Sequence, residues 1–85
     1  WSHLAPQTQA IVTAGDLPNR VRTEPSLAGE VIQQIYPQTV VRVLEGPVCA
    51  DGLIFWKVEH VSIPGGSGWT AEGDLSEYWL EPYSP

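Results

Sequence analysis

Eighty-five residues with ten acidic side chains against four Lys and Arg, a formal net charge of −6, make one acidic domain, because so short a chain cannot build two cores. That charge argues against nucleic acid and anionic lipid headgroups as main ligands, since both need a positive surface, and it disfavours polyanionic wall polymers. A neutral glycan, a peptide or a protein partner fits it better.

Gly and Pro, eight of each, punctuate short apolar runs at intervals of about ten residues, the pattern of an all-β chain. Residues 1–8 lie outside that pattern and read as an N-terminal tail. Residues 9–14 form the first expected strand, closed by Gly15 to Pro18. Residues 19–22 are a short extended piece ended by Glu24-Pro25, and residues 26–29 a turn or a single helical turn before a strand at 30–35. Residues 39–45, rich in β-branched side chains, are the clearest strand. Asp51-Gly52 is a strong hairpin signal leading into residues 53–61. The turn at 64–68 opens residues 69–71, and residues 80–82 supply a last short strand before a second tail at 83–85. No segment repeats apolar residues at spacings of 3, 4 and 7, so no long helix is expected. The expected fold is all-β, a small barrel of five to six strands over residues 9–82.

Within residues 54–59, alternation puts Ile54, Trp56 and Val58 on one side and Phe55, Lys57 and Glu59 on the other. A single core covers only one side of such a strand. The second face, led by Phe55, is therefore expected to be a binding surface or an interface. Four Trp, three Tyr and one Phe in a chain with only 16% charged residues also leave aromatic surface for a partner to cover.

The segments Asn19-Arg20-Val21-Arg22, Glu24-Pro25-Ser26, Glu30-Val31-Ile32-Gln33-Gln34-Ile35, Thr39 to Gly46, Phe55-Trp56-Lys57-Val58, Gly68-Trp69-Thr70-Ala71 and Tyr78-Trp79-Leu80 follow one another in an order that resembles the bacterial SH3-like (SH3b) family. The resemblance spans about residues 9–82. It implies a partly open barrel and a non-catalytic, extracytoplasmic module that binds wall peptide or protein. Two departures stand out: Asn19-Arg20 where the family often has Leu-Asn, and Phe55-Trp56 where it often has two Trp, which removes one indole donor.

By that resemblance, the aromatic set Tyr36, Phe55, Trp69, Tyr78 and Trp79 would line a ligand face, with Phe55 and Trp79 the most exposed contacts. Flat rings suit polyproline or glycan faces, and Glu72, Asp74 and Glu77 would attract a basic ligand. Against this stands the plainer expectation that Trp56 and Trp69 plug the barrel.

Catalysis is not expected. Cys49 is the single cysteine, which rules out an intrachain disulfide. It reads as a half-buried small hydrophobe, with an interchain disulfide as the sharper alternative. A Cys49–His60 dyad would need a third orienting group, an oxyanion hole and a larger fold. His3, His60 and Cys49 lack the paired spacing of a metal site, and the acidic run at Glu72 lacks the calcium-loop pattern. No metal or other cofactor is expected.

The chain has no Met and begins at Trp1, as would a secreted protein after signal removal or an excised domain; an extracellular or cell-surface location is expected. No stretch approaches the roughly 20 apolar residues of a membrane span, so no membrane insertion is expected. Two functions follow. In the first, Trp1, Leu4, Ile11 and Tyr83 dock on neighbouring copies to build a homo-oligomer, a polymer or a filament, with residues 7–14 adding to a neighbour's open sheet edge. In the second, the chain is a wall-peptide or Pro-rich-peptide module cut from a larger secreted protein.

Overall fold

A computed structural model describes residues 4–13, 18–73 and 78–83. The punctuation by Gly and Pro resolves into seven strands: β1 (Gln9–Val12), β2 (Asn19–Arg22), β3 (Val31–Ile35), β4 (Val40–Ala50), β5 (Leu53–Glu59), β6 (Ser67–Gly73) and β7 (Leu80–Pro82). No helix occurs among the described residues. All seven join one antiparallel sheet in the order β3-β2-β6-β5-β4-β1-β7, which forms a small, partly open barrel. The strands number one or two more than expected, because even the three-residue β7 and the four-residue β2 find partners.

Asp51 and Gly52 both take positive φ, 53° and 76°, the geometry of a two-residue hairpin turn matched to strand twist. They close Ala50 onto Leu53. β4 runs on to Ala50, past the residue 45 end that propensity suggested, because two register shifts between Val43 and Val48 bend it instead of ending it. Bulges of this kind add local twist and curl a sheet. At the bend Gly46 has φ 133°, and a Cβ there would sit 2.8 Å from Cε3 of Trp56. Only glycine lets the β4 backbone lie this close to the indole.

The barrel interior holds Ala10, Val12, Val21, Ile35, Val41, Val43, Trp56, Val58, Ile63 and Leu80, with Leu4, Ile32 and Ile54 packed against it. Trp56 is the plug that the alternation of β5 required, at 1% exposure. Ile63 comes from the loop after β5: that strand stops at Glu59, two residues before expectation. Hydrogen bonds among His60, Ile63 and Gly66 then turn the chain back, leaving Val61 fully in solvent.

The N-terminal segment folds back on its own barrel. Gln7 N–H donates to Val43 O and Val43 N–H to Thr8 O, both at 2.8 Å. Arg42 Nη2 donates to Gln7 Oε1 at 3.1 Å, and Leu4 packs on the core. Leu4, expected to dock on a neighbouring copy, is thus half-buried against its own barrel. β1 is likewise paired on both sides, with β4 and with β7. It has no free edge to offer a neighbour, so strand addition through residues 7–14 does not fit this topology.

Candidate binding cleft

β2 and β6 share one Cα pair, Arg22 with Trp69. Elsewhere along this seam, side chains replace the backbone ladder. Asn19 Nδ2 donates to Ala71 O at 3.0 Å and to Thr70 Oγ1 at 3.3 Å. The Thr70 hydroxyl donates in turn to Arg20 O at 3.0 Å. A cleft of about 670 Å³ opens over this seam. Its size falls within the usual range for small-ligand pockets.

The floor is Phe55. Lying on the face of β5 opposite Trp56 and Val58, it is 1% exposed yet outside the core cluster. The second apolar face of β5 thus exists as expected, but Phe55 is covered, which corrects its placement as an exposed contact. Cleft walls made by β2, β3 and the segments after β2 and before β7 stand over the ring. Tyr36 (62% exposed), Leu27 and Leu53 add apolar surface, and half-buried Trp79 closes one side. Arg20 and Arg22 bring charge. Arg22 Nη1 donates to Leu27 O at 3.2 Å and Gly29 O at 3.0 Å, which fixes its guanidinium.

Of the aromatic set, the structure brings Tyr36, Phe55 and Trp79 together and leaves two out. Trp69, half-buried, lies opposite Lys57 and Arg22 beside the cleft. Tyr78 bridges to Gly73 and is also half-buried. Glu72, expected on an acidic solvated loop, belongs to β6 and is 0% exposed, its Oε1 accepting from the Trp56 indole at 2.7 Å. It cannot attract a basic ligand; Asp74 and Glu77 lie outside the described residues, as do Trp1 and His3. Asn19, Arg20 and Arg22 were missed as site residues. The signal was present in Asn19, a polar side chain opening an apolar strand.

Ile11 and Tyr83 occupy a different surface. Ile11 pairs with Val40 on one side and Glu81 on the other, and Tyr83 follows β7 with its N–H donated to Gln9 O. Cys49 is exposed instead of half-buried and faces Ile54 across the hairpin, whereas Glu59, beside His60, pairs with Arg42. His60 Nδ1 accepts from Ser62 N–H at 3.1 Å and contacts Ser62 Oγ at 2.8 Å. No Cys–His dyad forms. Among the described residues no group of three His, Cys, Asp or Glu could hold a metal ion.

No family model, curated protein or solved structure matches this chain. The likeness to SH3-like domains therefore rests on the sequence segments quoted above, and the cleft must be interpreted from its own chemistry.

Proposed function

We propose that the chain is a non-catalytic SH3-like binding module, acting outside the cytoplasm, that holds an extended peptide segment in the cleft. The open cleft, with exposed Tyr36 and half-buried Trp79 gathered beside covered Phe55, carries this reading. A cleft already open in the free chain is a seat formed before the ligand arrives, which lowers the ordering cost of binding. Flat walls from Tyr36 and Trp79 suit proline rings and extended backbone. The test is a titration of Trp fluorescence with Pro-rich peptide and with peptidoglycan stem peptide. A saturable change is expected for one of them, weakened about tenfold by Tyr36→Ala, as for a contact worth above 1 kcal/mol. A flat response to both would defeat the reading.

A second reading, assembly into a homopolymer, is favoured by the outer row of Ile11, Val40, Glu81 and Tyr83 at the β7 side of the sheet. This row and the cleft are different surfaces, so a contact between them would run head to tail and, where the rotation does not close a ring, would build an open filament. Light scattering over a concentration series tests it. Growth in mass, abolished by Tyr83→Ser, is expected on this reading; a constant monomer mass would exclude it.

A further inference from the structure

Two of the four cationic side chains in this chain, Arg20 and Arg22, line the cleft. No acidic residue among the described ones does. Glu72 is turned into the core. Asp51 is directed at the loop after β2, where its Oδ2 accepts from Leu27 N–H at 2.9 Å, and it is not part of the cleft lining. Among the described residues, then, the charge lining the cleft is all positive, in a protein of net charge −6. Neither guanidinium is neutralised by a described partner. Arg22 bonds two backbone carbonyls, which hold it in place without cancelling its charge. Arg20 is exposed and its side chain makes no hydrogen bond among the described residues.

The geometry points to an acidic peptide as the occupant: an apolar or aromatic side chain rests against exposed Tyr36 and Leu27, and an Asp or Glu carboxylate nearby in the segment pairs with Arg20 beside Arg22. This rests on the peptide-binding reading above and narrows its ligand. Guanidinium and carboxylate match as planar, two-pronged partners. An amide of the same shape offers one acceptor and no charge. A basic peptide, the ligand expected from the acidic residues of the sequence, would place like charges together.

The test uses the full chain and three dye-labelled peptides of equal length sharing a Pro–aromatic centre, flanked by Glu, by Gln or by Lys, followed by fluorescence anisotropy. The Glu peptide is expected to bind about tenfold or more tighter than the Gln peptide, the gain of a hydrogen bond to a charged group. Arg20→Gln should shrink that ratio to about twofold, while Tyr36→Ala should weaken both peptides alike. Chemical denaturation of each variant confirms an intact fold. Equal binding of the Glu and Gln peptides would overturn the acidic specificity and leave the peptide reading standing. Tightest binding of the Lys peptide would reverse the specificity. Failure of all three would remove the peptide reading itself. Displacement of the Glu peptide by a carboxylated glycan such as polygalacturonate, at lower concentration than unlabelled peptide, would assign the cleft to sugar acids instead.

Discussion

The indole N–H of Trp56 donates to the carboxylate of Glu72 at 2.7 Å, with both residues at 1% exposure or less. A large ring that plugs a small barrel brings one polar atom with it, and a buried donor without an acceptor is costly. β5 and β6 place Trp56 opposite Thr70, two residues before Glu72 on the same strand, which brings the carboxylate within reach.

Replacing Glu72 by Ala should cost about 2–4 kcal/mol, combining an unsatisfied indole with an unfilled volume. Glu72→Gln keeps an acceptor and should cost roughly 1 kcal/mol. Urea denaturation followed by Trp fluorescence measures both; equal losses for the two variants would show that the acceptor is irrelevant.

Gly46→Ala should destabilise the chain by about 1–3 kcal/mol, from an unfavourable φ together with a clash on the Trp56 ring. The shift is expected in the urea midpoint with little change in slope. A neutral result would mean that β4 can move away from the ring at no cost.

Removing Leu4 tests the N-terminal segment. Leu4→Ala is expected to lower stability by about 1–2 kcal/mol, less than a fully buried leucine because the residue is only half-buried. Thermal denaturation reads this as a fall in Tm of several degrees for a chain of this size. A variant with unchanged Tm would show that residues 4–8 do not belong to the folded unit.

Gln33 guards the outer edge of β3. Its Oε1 accepts from Gln34 N–H at 3.0 Å, and its Nε2 donates to Ser62 O. β3 carries neither charge nor proline, the usual protections of an edge, whereas β7 at the other edge has Glu81 and Pro82. Gln33→Ala should therefore speed aggregation several-fold in a light-scattering time course at raised temperature, while Gln34→Ala should not. Equal rates for the two variants would remove the guarding role.

The sheet was legible in the sequence because turn chemistry and alternation are local signals. Asp51-Gly52 announced its hairpin, and the pattern of β5 placed Trp56 inside and Phe55 on the opposite face. What escaped was set by contacts distant in sequence. Whether Phe55 is covered depends on walls from β2, β3 and the segment before β7. Glu72 read as a surface acid because its buried partner is sixteen residues away. Leu4 and Ile63 lie outside regular strands, where periodicity has no purchase, and only packing reveals them as core. The arginines of the cleft were counted in the net charge, which conceals where each one lies.

The single backbone pair between β2 and β6 gives the barrel an uneven grain. β2 and β3 are laddered to each other and share the core through Val21 and Ile35, but their hydrogen bonds to the remaining strands are few, above all those of Asn19 and Thr70. Such a flap can breathe by stretching bonds that water readily replaces, while the β4–β5–β6 scaffold stays shut. Deuterium uptake should accordingly run faster through residues 19–35 than through 53–59. A segment lying in the cleft over this seam would slow it, so the same weak suture also registers a guest's arrival.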